Sequence, residues 1–185
     1  HGAVWLRPVA RAPALMLDTA VLWPQGRFAA AGLRNGPDRI AWPENVERPG
    51  HLSPSGGRVF YNSLRFALSL SRAGTMRSGC PPEARLLEAA ACGVPVISDS
   101  WKGPSGPFRV GTEILVSRGP EDTLMFLRSI SEEGRRAIGE RARKRVLAEH
   151  TAACRAAELE SHARQLLSRH STTVPVNGLR SGAWV

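Results

Sequence analysis

The chain has 185 residues, 42% of them hydrophobic, which is enough for one well-buried domain and short for two. It holds no run of about twenty apolar residues, so no membrane-spanning helix is expected. The net charge of +9 would suit an anionic partner. Along the C-terminal third, however, arginines alternate with Glu132, Glu133, Glu140, Glu149, Glu158 and Glu160, so the charge reads as a solvated helical face and nucleic-acid binding is not expected.

Taken in chain order, Ala14 to Trp23 reads as a buried helix stopped by Pro24. Arg27 to Leu33 reads as a strand, ending in the turn-rich Asn35-Gly36-Pro37. Asn45 to Leu52 is a weaker strand, which Pro49 and Gly50 confine to a sheet edge or a bulge. Ser53-Pro54 opens a short helix through Tyr61, and Arg65 to Ser71 alternates as a strand with Phe66, Leu68 and Leu70 on one side. Glu113 to Ser117 is another short apolar strand. Pro120 begins a helix through Ile130, Ser131 caps one to about Glu149, and Thr151 caps a last one to about Leu167. The tail from Ser171 to Val185 has no periodicity and reads as disordered, leaving residues 1–170 as the domain. Strands separated by helices throughout predict an α/β fold, a Rossmann-like parallel sheet with helices on both faces.

The densest signal is Pro81 to Asp99, PPEARLLEAAACGVPVISD. Pro at the first turn loses no hydrogen bond, and Glu83 beside it favours the helix dipole. Gly93 reads as a left-handed residue that closes the helix, and Val94 to Asp99 follows as a buried strand. Glu88 lies on this helix of small residues, just upstream of the strand. Ligands of open α/β sheets bind beyond the carboxyl ends of strands, so function is expected here.

Three cysteines, Cys80, Cys92 and Cys154, form no close pair. That argues against a disulfide framework or a zinc site and fits a cytoplasmic protein. Cys92, among alanines, is expected as a small buried hydrophobe. His150 reads as boundary chemistry before a helix, and His51 as the histidine nearer a cleft. The N-terminus starts at His1 and is broken by Arg7, Pro8, Arg11 and Pro13, so it does not read as a signal peptide. The chain is expected to be part of something longer.

The segment RLLEAAACGVPVISDSWKG resembles the donor-binding half of the GT-B glycosyltransferases, specifically the CgeB-like group related to the family-4 enzymes. AWPENVERPGHL, SRAGTMRSG, VGTEILV and RKRVLAEHTAACRAAEL resemble successive pieces of the same domain, so the likeness covers about Phe28 to Leu167. It implies that Glu88 matches the glutamate that receives the ribose hydroxyls of a sugar nucleotide, as an ionised carboxylate can. Family-4 enzymes carry a second glutamate eight positions earlier. Cys80 stands there, a departure shared with the CgeB-like group that puts sugar recognition and stereochemical course in question.

For the donor diphosphate the resemblance points to Arg72 and Arg85, whose guanidinium forks fit phosphate oxygens, together with the helix N-terminus near Pro82. Arg85 and Glu88, three apart, could equally pair on the helix for about 0.2–0.5 kcal/mol. Trp101 and Gly103 belong to the glycine-rich loop after the strand, where backbone amides could approach a phosphate or sugar. Glu113 could orient the site or simply cap its strand. The resemblance further implies that no metal or other cofactor is required and that the N-terminal GT-B domain, which holds the acceptor, is missing from this chain. It makes Ala3 to Leu6 the first and central strand, with Arg7-Pro8 where a glycine turn is usual. A non-catalytic Rossmann-like module that binds nucleotides or partners is the alternative.

Overall fold

The computed structural model of the chain describes residues 3–5, 13–31, 41–69, 84–99 and 107–171. Six strands, β1 (Ala3–Trp5), β2 (Phe28–Ala29), β3 (Val46–Glu47), β4 (Leu64–Ser69), β5 (Val96–Asp99) and β6 (Leu115–Ser117), form one sheet in the order β3-β2-β1-β4-β5-β6. Every pairing is parallel. The N-terminal segment takes the central place expected of it, as three residues, between β2 and β4.

The helices are α1 (Pro13–Leu22), α2 (Pro54–Ser63), α3 (Ala84–Ala91), α4 (Pro120–Ser129), α5 (Glu132–Glu149) and α6 (Ala152–Ser171). Their ends follow local chemistry. Ser53 Oγ accepts from Gly56 N at 3.1 Å with Pro54 opening α2, and Ser131 Oγ accepts from Gly134 N at 3.1 Å to start α5. Asp122 Oδ2 accepts from Arg118 N at 3.1 Å across the start of α4. Gly93 closes α3 at φ +75°, with its N–H on the Ala90 carbonyl and that of Val94 on Ala89. Only glycine takes that conformation without a Cβ penalty.

Alternation along the strands creates two cores, one on each sheet face. Phe66, Leu68 and Ile97 are buried with Met16 and Ala20 of α1, Leu127 of α4 and Ile138 of α5. Ala67 and Val96 point the other way, into Tyr61 of α2, Leu86, Ala89 and Ala90 of α3, and Ala142 and Val146 of α5. The fold is therefore α/β with helices on both faces of a parallel sheet. On the surface, Glu132 gathers Arg135, Arg65 and Arg136, which hold its carboxyl down to about 2. Arg135 Nη1 also donates to the Arg65 carbonyl at 3.2 Å, tying α5 to β4.

Several expected boundaries shift. The strand expected over 27–33 is described as β2 alone, and that expected over 45–52 contracts to β3, at the sheet edge where Pro49 and Gly50 required it. Glu113 is not part of β6, which begins at Leu115. Residues His1–Leu147 and Ala148–Val185 form two compact units. The described part of the second is essentially α6, capped by Thr151 Oγ1 accepting from Cys154 N at 3.2 Å. This helix runs to Ser171, past Leu167, so Ser171 is helical; the rest of the tail, 172–185, lies outside the described residues.

Candidate functional site

In this strand order the chain reverses direction across the sheet between β1 and β4, and at such a switch point open α/β sheets generally bind ligands beyond the carboxyl ends of the strands. Arg72 follows β4 in the chain, and Trp101 and Gly103 follow β5; all three lie outside the described residues, as do Cys80 and Glu83. The described part of the candidate site is Glu88 and Arg85 on α3, what packs against them, and Glu113.

Leu86, Ala89 and Ala90 are buried under α3, which at 3.6 residues per turn leaves Glu88 on the exposed side. The one described hydrogen bond of its side chain comes from another helix: Tyr61 Oη donates to Glu88 Oε2 at 3.4 Å. Tyr61 is only 6% exposed. Burial, then the Glu88 charge, raise its phenol well above the ordinary value against the opposing pull of Arg85, so the hydroxyl remains a donor whenever Glu88 is ionised. Arg85 is half-buried one turn earlier. Cys92 is half-buried, less than its alanine-rich setting suggested, and burial pushes its thiol up.

Glu113 belongs to a different structure. It is 8% exposed, and its carboxylate accepts from Arg145 Nε at 2.6 Å, Arg145 Nη2 at 2.9 Å and Arg109 N at 2.8 Å. The two-toothed guanidinium bond and the Arg109 N–H together use most of the acceptor capacity of the carboxylate. Glu113 therefore clasps the turn before β6 to α5 and is neither a strand cap nor an open ligand group. The Arg145 guanidinium holds its carboxyl below the ordinary 4.5, outweighing burial, and the Arg109 N–H adds to this.

A carboxylate depressed in the folded state contributes stability that is complete above its unfolded value and is lost as pH falls through the folded one. Glu113→Gln is expected to cost about 2 kcal/mol at pH 7, because it leaves Arg145 poorly compensated, and to flatten the loss of stability below pH 4.5. Urea denaturation of both proteins between pH 7 and pH 3 measures this. Parallel pH curves would remove the clasp.

Sequence reasoning missed Tyr61, Arg145 and Asn45. Tyr61 carried a usable signal, being the single tyrosine of the chain on an apolar helix face, where a buried hydroxyl needs a partner. Arg145 carried none, as one arginine among many on α5. His51 is exposed between β3 and α2. His150 Nδ1 lies 2.6 Å from Arg155 Nη2, as boundary chemistry would have it. Among the described residues no group of three or more His, Cys, Asp or Glu side chains converges as a metal site would, and no helix is long and apolar enough to cross a membrane.

A family model described as glycosyl transferase-like matches residues 5–161. No curated protein matches the sequence. Among solved structures, a sucrose-phosphate synthase from Thermosynechococcus elongatus is similar with a TM-score of 0.68 at 18% identity, over 90% of this chain and 45% of that one. Anabaena HepE in complex with UDP and glucose has a TM-score of 0.68 at 11% identity, over 88% and 48%. The C-terminal domain of a glycosyl transferase group 1 family protein (LpcC) from Francisella tularensis has a TM-score of 0.61 at 13% identity, over 82% and 87%. These likenesses establish the fold as that of a GT-B half-domain, and the chain spans less than half the length of the first two.

Proposed function

The chain belongs to the glycosyl transferase-like family, and from that premise we propose that it is the domain that binds a sugar-nucleotide donor for transfer to an acceptor held elsewhere. The observation that carries this reading is Glu88, an exposed carboxylate on the helix that feeds β5, restrained by one long hydrogen bond from an uncharged hydroxyl. It keeps the acceptor capacity that two vicinal ribose hydroxyls require. The complex of HepE with UDP and glucose supports a nucleotide donor. Arg72 and Arg85 offset the diphosphate charge in this reading, in place of a metal, and the loop of Trp101 and Gly103 offers backbone amides to a phosphate or the sugar.

Transfer of a hexosyl group requires the second GT-B domain, so this chain, residues 1–170 above all, binds donor and does not turn it over alone. Coverage of less than half of the synthase and of HepE supports that division. A place in the CgeB-like group and in the cytoplasm completes the proposal.

Isothermal titration with UDP, GDP and ADP sugars tests it. Millimolar or tighter binding of at least one is expected, and Glu88→Ala should weaken it about tenfold, the worth of charge-assisted hydrogen bonds, in a protein that stays folded with its unfolding midpoint lowered only by loss of the Tyr61 hydrogen bond. Absence of binding to all three donors removes the donor site. Binding that Glu88→Ala does not change would favour the alternative, a non-catalytic module, to which Cys80 in place of the second glutamate already leans.

A further inference from the structure

We propose that Tyr61 is a positioning residue for Glu88: its hydroxyl occupies Oε2 and so reserves Oε1 and the remaining Oε2 lone pair for the two hydroxyls of a vicinal diol. The inference rests on the donor-site reading above and concerns how that site selects its ligand. An exposed glutamate has three rotatable bonds, and taking a diol with both oxygens requires one of its many rotamers. A partner that sets this rotamer beforehand removes the ordering from the binding step.

Tyr61 is suited to that role. It sits in the core with Leu64, Leu86 and Ala89, and its ring meets Phe60 at 6.3 Å and 61°. Its hydroxyl is therefore a fixed point on α2 from which α3 is measured, 27 residues away in sequence.

Glu113 and Glu88, set in separate parts of the fold, show what the choice of partner does. Glu113 faces a guanidinium that engages both of its oxygens and the turn's N–H besides, and it is closed to a ligand. Glu88 faces a neutral hydroxyl that takes one lone pair and no charge. Two carboxylates are thus assigned opposite work by their donors, one structural and one receptive.

The test is discrimination between ribose and 2′-deoxyribose. Kd values for UDP, GDP and ADP and their 2′-deoxy counterparts are measured on the full chain, its Tyr61→Phe variant and its Glu88→Ala variant. Tyr61→Phe should weaken the ribonucleotide about threefold to tenfold and the deoxynucleotide much less, so that the ratio of the two falls. A structural role would weaken both alike. An unchanged ratio in Tyr61→Phe, beside a collapsed ratio in Glu88→Ala, overturns the positioning role and leaves the donor site standing. A ratio indifferent to Glu88→Ala, or no binding by the unaltered chain, overturns both.

A second readout needs no folded Tyr61→Phe protein. Because the chain has one tyrosine, a 13Cζ-tyrosine label gives a single resonance, which should move on saturation with the bound nucleotide and not move in Glu88→Ala. A resonance that ignores the nucleotide in the unaltered chain also overturns the proposal.

Discussion

Replacing Gly139 by alanine should destabilise the domain by at least about 3 kcal/mol, at or beyond the upper end for overpacked cores. A Cβ on Gly139 of α5 would stand 2.1 Å from the carbonyl oxygen of Gly93, 2.9 Å from its carbonyl carbon and 3.3 Å from Pro95 Cδ. The obstacle is backbone, and backbone with little room to move. Gly93 holds φ +75° at the end of α3, and the adjoining Pro95 carbonyl accepts from Ala67 N of β4 at 2.9 Å. Helix α5 can yield only by lifting Ile138, Ala142 and Val146 away from the two cores. Gly57→Ala on α2 is the control, with nothing within 4 Å of its Cβ. The helix preference for alanine should make that change neutral or stabilising by about 0.5–1 kcal/mol. Urea denaturation of both variants measures the contrast, and a Gly139→Ala protein as stable as its parent would show that α5 does not approach the joint this closely. Since Gly93 terminates the helix that carries Glu88, the proposed donor site makes a further expectation, that the same variant weakens nucleotide binding as well.

Asn45→Asp is expected to cost about 3 kcal/mol at neutral pH, more than removal of a single hydrogen bond, because it puts an anion where three carbonyl oxygens converge. The two hydrogens of Asn45 Nδ2 are shared among the carbonyls of Ala20 at 3.0 Å, Trp23 at 3.1 Å and Gly26 at 3.0 Å, one of the bonds being bifurcated. The first two belong to the last turn of α1 and the residue after it, where only turn-type bonds from Trp23 N to Ala20 and from Gly26 N to Trp23 otherwise reach the carbonyls. The same residue accepts from Phe28 N through its backbone, so one side chain and one peptide join the end of α1 to the edge strands. The substitution hardly changes size and reverses only the hydrogen-bonding sense. The cost should therefore shrink toward pH 3, where a protonated carboxyl can donate. Unfolding midpoints of the variant and its parent at pH 7 and pH 3 decide it. Equal stability at pH 7, or a deficit independent of pH, would mean that the three carbonyls are satisfied in another way.

These two residues show unequal access from sequence. Features that depend on near neighbours could be read directly: the Ser53, Ser131 and Thr151 caps, the left-handed Gly93, the alternating β4 and the order of helices and strands. Glu88 was singled out by its place on a small-residue helix just upstream of a strand, and by the family resemblance of that segment. The edge character of β3 also followed from Pro49 and Gly50.

Strand lengths were less legible. A parallel strand exists only as far as its partner runs beside it, and β2 pairs with β3 through just Phe28 and Ala29. Glu113 shows the same limit for a site residue. At the head of EILVS it read as orienting a ligand or capping a strand, and nothing nearby announced that Arg145, 32 residues on, would engage both its oxygens.

The sequence by itself determined the α/β class, the helix ends and the joint between α3 and β5, because capping bonds, periodicity and backbone preference act within a few residues. Only the tertiary structure decided which polar groups meet. Parallel crossovers return distant segments to one place, and so set Tyr61 on Glu88, Arg145 on Glu113, the Asn45 amide under three carbonyls and the bare Cα of Gly139 against the Gly93 carbonyl. Donor and acceptor chemistry is common to many residues of a chain. Its meaning is settled by burial and distance, which exist only once the sheet has closed.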